Sequence, residues 1–188
     1  MLQRNLIVFC LVFSGFIFSQ DSKFDIRMSA LAERPYTEEG LDFVIGAELG
    51  GRYAINDKFS SGAYFNYSTF SAVFNKHRSF GVGLDVHYLL FNSDFIKPYL
   101  NLGANYFSVN AQERLQGWDS QQEQAVIIII DETSHGMKAF GRLGALFPLA
   151  MEDKLLVDAN IGWNYYLHQR FFRDFPTINL NLGLKYRF

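Results

Sequence analysis

The sequence predicts an all-β fold: an eight-stranded antiparallel barrel of the up-and-down kind, built to span a membrane. Three observations predict it. Segment after segment alternates apolar and polar residues with a period of two. The connections between those segments alternate between short and long. The composition is rich in rings, with 20 Phe, 10 Tyr and 2 Trp among 188 residues, as aromatic belts at two membrane interfaces require. Beyond the first twenty residues no apolar stretch approaches the length of a spanning helix. Any crossing must therefore be made of strands, closed so that no backbone group is left unsatisfied in hydrocarbon.

The first twenty residues read as a leader. Arg4 supplies a positive start, Leu6 to Phe18 is an apolar run broken only by Ser14 and Gly15, and Ser19, Gln20, Asp21 and Ser22 follow. That is the layout of a cleavable secretory signal peptide. At thirteen residues the run is shorter than the roughly 20 that a spanning helix needs. Residues 1–20 are assigned to the signal and 21–188 to one barrel domain. Cys10 lies inside the apolar run, which argues against a lipoprotein cleavage site. Its removal leaves a chain without cysteine, hence without disulfide or thiol chemistry. Without Arg4, 16 basic side chains stand against 19 acidic ones, a balance that gives no reason to expect nucleic acid as a partner.

Eight alternating segments follow. The first, and weakest, sets Phe24, Ile26, Met28 and Ala30 against Asp25, Arg27 and Ser29. The second sets Leu41, Phe43, Ile45, Ala47, Leu49 and Tyr53 against Asp42, Gly46, Glu48, Gly50 and Arg52. In the third, Phe59, Ala63, Phe65 and Tyr67 oppose Ser60, Gly62, Asn66 and Ser68, with Tyr64 a large exception. In the fourth, Phe80, Val82, Leu84, Val86 and Tyr88 oppose Gly81, Gly83, Asp85 and His87. In the fifth, Leu100, Leu102, Ala104 and Tyr106 oppose Asn101, Gly103 and Asn105. The sixth sets Met137, Ala139, Gly141, Leu143, Ala145 and Phe147 against Lys138, Phe140, Arg142 and Gly144. The seventh sets Leu155, Val157, Ala159, Ile161, Trp163 and Tyr165 against Asp158, Asn160, Gly162 and Asn164. The last is the clearest, with Ile178, Leu180, Leu182, Leu184, Tyr186 and Phe188 against Asn179, Asn181, Gly183, Lys185 and Arg187.

Ile55 to Lys58, Asn92 to Asp94 and Pro148 to Lys154 read as short turns, whereas Glu33 to Gly40, Phe70 to His77, Val109 to His135 and His168 to Pro176 read as longer loops. A membrane barrel has short turns at the end that holds both termini and long loops at the other. The apolar face carries no charge on any segment, and one Lys or Arg facing mid-bilayer lipid costs about 2–4 kcal/mol. That face is expected to look outward. The polar face then fills the lumen with Asp25, Asp42, Glu48, Asp85 and Asp158 against Arg27, Arg52, Lys138, Arg142, Lys185 and Arg187. Glycines among them make room for the long cations. An eight-stranded interior is just wide enough for its own side chains, so the expectation is a plugged, charge-paired lumen without a continuous pore.

At the C-terminus, Asn181-Leu182-Gly183-Leu184-Lys185-Tyr186-Arg187-Phe188 resembles the signal read by the outer-membrane barrel assembly machinery. Its four defining positions are Asn181, Gly183, Tyr186 and Phe188. Over residues 23–188 the chain resembles the small outer-membrane barrel family that includes OmpA-type transmembrane domains and OmpX. The resemblance implies a Gram-negative outer membrane, with its lipids and lipopolysaccharide as surroundings and the assembly machinery as a transient partner. It departs from the full OmpA type in having no periplasmic domain after the barrel, so peptidoglycan anchoring is not implied.

No catalytic, metal or cofactor site is expected. Lipid A deacylases resemble this size class and use a His and a Ser on the lipid-facing surface. Here His87 points to the lumen, with Asp85 its expected partner, and His77, His135 and His168 lie in loops. Ser134 adjoins His135 but points to the other side of a strand, and Ser61, the nearest outward serine, lies in the opposite half. Inside the longest loop, Val126, Ile127, Ile128, Ile129 and Ile130 form an uncharged β-prone run. It is expected to extend the sixth strand and pair with the fifth; the sharper reading is an edge that captures an outer-membrane or extracellular protein by strand addition. His168 to Arg173 mixes bases with rings, suited to lipopolysaccharide phosphates or to the outer aromatic girdle. The leading expectation is a structural or interaction barrel without enzymatic activity. The alternatives are a narrow transport barrel of the OmpW type and a lipid A-modifying enzyme.

Overall fold

The computed structural model describes residues 23–35, 44–71, 75–119, 124–150, 154–167 and 176–188. The leader, Asp42 and the His168–Arg173 segment lie outside them. Eight antiparallel strands close into one barrel in sequence order. They are β1 (Phe24–Pro35), β2 (Val44–Ala54), β3 (Phe59–Ser71), β4 (Asn75–Leu89), β5 (Lys97–Asp119), β6 (Gln124–Ala150), β7 (Leu155–Leu167) and β8 (Pro176–Arg187). Each strand pairs with its neighbours in the chain, and β8 returns to β1 with Arg27 opposite Lys185 and Met28 opposite Leu184.

Two of the short turns are held by side chains. Asn56 Oδ1 accepts hydrogen bonds from the backbone N–H groups of Lys58 (2.9 Å) and Phe59 (2.8 Å), a local Asx arrangement that reverses the chain without help from the barrel. Between β4 and β5, Ser93 Oγ donates to the carbonyl of Ile96 at 2.6 Å and accepts from its N–H at 3.2 Å. The register of β6 against β7 shifts between Pro148 and Ala150, next to a residue with no N–H to give to the ladder.

At the other end the strands outrun the sequence-based boundaries. Phe70 and His77, expected in a loop, are paired with each other across β3 and β4. Glu33, expected to open a loop, is a strand residue opposite Val44 and Asn179. The expected loop Val109–His135 is largely a hairpin, with β5 and β6 paired as far as Asp119 and Gln124. Above a bilayer the strand faces need no apolar stripe, so the alternation that marks a spanning strand fades while the backbone ladder runs on.

The outer surface is an apolar belt. Met28, Leu49, Phe65, Leu84, Leu102, Leu143, Ile161 and Leu182 are each at least half exposed, and rings gather toward the strand ends. Tyr67 packs at a tilt against Phe80, and Phe59 against Tyr88, at centroid separations of 4.8 and 4.7 Å. The side chains that are buried include many polar ones: Asp25, Arg27, Glu48, Arg52, Asp85, Lys138, Arg142, Asp158 and Lys185 are all at most 5 % exposed. Apolar outside and polar inside inverts a soluble protein, and it is the arrangement of a barrel that meets lipid.

Candidate functional site: the filled lumen and the outer hairpin

Glycines set where large groups can cross the lumen. Tyr64 stands opposite Gly83 on the next strand, Tyr99 opposite Gly144 and Phe140 opposite Gly103. A Cβ added at any of the three glycines would sit 2.3–2.4 Å from the facing ring or from backbone. The stems of Arg52 and Arg142 lie in the same way over Gly62 and Gly162. The expected room for cations is thus joined by room for rings, and Tyr64, an exception to its segment's pattern, is one of the largest buried side chains.

The lumen is layered along its axis. Toward the turn end Tyr99, Leu146 and Leu156 form an apolar floor with Leu89 packed against it. The ring of His87 lies 4.3 Å from that of Tyr99, and Lys185 pairs with Asp25 at 2.7 Å. Tyr99 donates its hydroxyl to Asp158 at 2.5 Å.

Above the floor lies the ionic layer. Arg52 grips Asp85 with a two-pronged contact, Nε to Oδ1 at 3.2 Å and Nη2 to Oδ2 at 2.6 Å. Asn101 donates to the same carboxylate at 3.1 Å. Arg142 binds Glu48 as a fork, at 2.6 and 2.8 Å, and its guanidinium sits 4.4 Å over the Phe140 ring. Arg27 lies between the carboxylates, 3.6 Å from Asp85 and 3.9 Å from both Glu48 and Asp158. Removing ions from water is costly, and only good geometry with further hydrogen bonds offsets it. Forked guanidinium–carboxylate contacts supply that geometry.

The upper layer centres on Glu33. Its carboxylate accepts hydrogen bonds from the hydroxyls of Tyr166 and Thr177, and Lys138 is 3.7 Å away. Phe107, Val109 and Tyr166 form a second apolar cluster. Along β7 and β8 a ladder of amides joins Asn160, Asn181, Asn179 and Asn164 at 2.8–3.0 Å. Among the described residues, rings, ion pairs and amides occupy the bore between the two apolar clusters.

Of the charges assigned to the lumen from sequence, Glu48, Arg52, Asp85, Lys138, Arg142, Asp158 and Lys185 are buried inside it. Arg187 is exposed at the turn-end mouth, outside the network, because β8 runs out there. The expected His87–Asp85 pairing is also corrected: Asp85 is taken by Arg52 and Asn101, and His87 packs on Tyr99. Sequence reasoning missed Glu33, for which the available signal was continued alternation past the bulky Leu31. It also missed the tyrosines, since a ring on a polar face reads as an error until its glycine partner is known.

The remaining candidates separate. Asn181 and Gly183 face inward, Tyr186 outward, and Phe188 packs edge-on against Tyr186 at 5.1 Å. His135 points outward and stacks on Tyr106, while Ser134 belongs to the opposite side of β6. Ser61 donates its hydroxyl to the carbonyl of Asp85 at 3.2 Å. In the hairpin, Val126, Ile127, Ile128, Ile129 and Ile130 pair with Gly117, Gln116, Leu115, Arg114 and Glu113 in turn. The pairing of β6 with β7 begins only at Met137, so among the described residues 124–136 have a partner strand on one side alone. No cluster of metal-ligating side chains occurs among the described residues.

The sequence matches no family model and no curated protein. Solved structures do match. Neisserial surface protein A superposes with a TM-score of 0.66 at 17 % identity, covering 89 % of this chain and 98 % of that one. Ail, the attachment invasion locus protein of Yersinia pestis, gives 0.56 at 15 % identity, covering 90 % of this chain and all of that one. The N-terminal β-barrel domain of Pseudomonas aeruginosa OprF gives 0.52 at 14 % identity, with 87 % and 97 % covered. The chain shares the fold of these small eight-stranded outer-membrane barrels.

Proposed function

We propose, from this shared fold, that the chain is an outer-membrane barrel without enzymatic activity, exported by a leader over residues 1–20. It acts as a structural or interaction protein through its outer hairpin and loops, alone or within a larger envelope complex. The observation that carries the reading is the filled bore. Two apolar clusters cap an ionic layer in which Arg27, Arg52 and Arg142 meet Glu48, Asp85 and Asp158, which argues against a water-filled path for a solute. Surface contact is what remains for such a cylinder. The β5–β6 hairpin, the longest pair of strands, offers the largest surface for it. Asn181, Gly183, Tyr186 and Phe188 on the last strand support recognition by the assembly machinery during insertion.

The deciding experiment is single-channel recording of the refolded barrel in a planar bilayer, with gel heat-modifiability reporting that the barrel has formed. Silence is expected from the native protein. Steady openings would displace this reading in favour of a narrow transport barrel.

A further inference from the structure

Outside the apolar floor, the turn end of the barrel opens into a cup of about 330 Å³, at the small end of the range for small-molecule pockets. Its wall carries Lys23, Lys58, Lys97, Lys185 and Arg187 against Asp25 and Asp57. Positive charge is in excess even after Lys185 and Asp25 are set against each other. The cup is blind, because Leu89 and Leu146 in its wall belong to the apolar floor. A recess of one sign with low-dielectric walls focuses field and concentrates counter-ions. A second observation comes from inside the cup. His87 is 4 % exposed, its ring is held against Tyr99, and its Nε2 has no hydrogen-bond partner. A buried polar nitrogen left so is costly; it lies just beneath the surface of the cup, so a side-chain shift that lets an acceptor in the cup reach it relieves that cost.

We propose that this cup binds a small phosphate-type oxyanion. Lys23, Lys58 and Arg187 grip it from the exposed rim, and His87 lies in the wall beneath it. Ammonium and guanidinium donors suit such an oxyanion through short charge-assisted hydrogen bonds. Asp25 Oδ1 is also without a partner. One water serves both, donating one hydrogen to that carboxylate oxygen and the other to the bound anion. The anion is either free phosphate or the phosphate of a lipid headgroup.

The test uses the barrel refolded in a phosphate-free maltoside detergent and titrated with inorganic phosphate, read by the ¹⁵N signal of His87, which is assigned from its loss in His87→Asn. The His87 signal is expected to shift and saturate. The rim pair Lys58→Ala with Arg187→Ala should weaken that binding about tenfold or more, whereas Lys76→Ala with Arg78→Ala at the opposite end should leave it unchanged. A repeat with short-chain phosphatidylglycerol separates the sources: displacement of phosphate at lower concentration assigns the site to headgroups, and no displacement assigns it to the free ion. A His87 signal that moves with neither titrant, or equal weakening by the two pairs, overturns the proposal. Conductance plays no part in this readout, so its outcome is separate from that of the filled-bore reading.

Discussion

Single residues in this lumen are held in matched sets, and the sets set the cost of change. Arg142 is 2 % exposed and forked onto Glu48. Arg142→Met leaves that carboxylate in the bore without its forked partner, with Arg27 3.9 Å away. Breaking a buried pair from one side costs about 3–5 kcal/mol. The urea midpoint of the lipid-embedded barrel should fall accordingly, and Glu48→Leu added to Arg142→Met should restore most of the loss. If the single and double variants unfold alike, the pair is not the unit proposed. Much of this set was legible in the sequence, because charge on the polar side of an alternating segment has nowhere else to go. The pairing itself was not. Glu48 and Arg142 lie 94 residues apart, and which cation reaches which carboxylate depends on strand tilt and on glycines such as Gly162, neither of which leaves a local mark. Glu33 escaped for a related reason, since Leu31 faces inward beside it and makes the alternation look finished two residues early.

Elements follow the same logic at longer range. The eight spanning segments were legible because lipid enforces one apolar face on every strand, and each extends over the positions where the alternation is strict. The belt is correspondingly intolerant. Leu182 is 62 % exposed in the middle of β8, opposite Ala30 and Ala159. Leu182→Arg is expected to cost about 2–4 kcal/mol when unfolding is followed in lipid; no measurable change would place that face away from the bilayer centre. The hairpin shows where legibility ends. Asn110 donates to Asp131 at 2.8 Å and to Thr133 at 3.3 Å across β5 and β6. These are polar residues on the outward face, so the strand continues through ladder and side-chain hydrogen bonds with no apolar stripe to announce it. Only the Ile-rich run, with its high β preference, hinted that the sixth strand went on.

At the scale of the whole molecule, closure defines the fold. β1 and β8 together take part in the Asp25–Lys185 bridge, in the Thr177–Glu33 contact and in a ladder running from Asp25–Arg187 to Pro35–Thr177. A chain truncated after Leu167 loses all of these at once and exposes two sheet edges to hydrocarbon, where unpaired backbone groups are not tolerated. Such a chain should show no heat-modifiable band after refolding, whereas the full chain should; a folded seven-stranded form would show that closure is dispensable.

The pairing of the first strand with the last also has a consequence in time. A polypeptide is made from its beginning, and β1 must wait for β8 before its second neighbour exists. Glu33 meets Thr177 across 144 residues of chain, so no amount of early folding can seat it. Until the barrel closes, eight stretches with one water-averse side each are without the ring that will shelter their backbones. The molecule therefore depends on being kept apart from its own kind until it reaches its membrane, and its arrival there is also the first moment at which it can be complete.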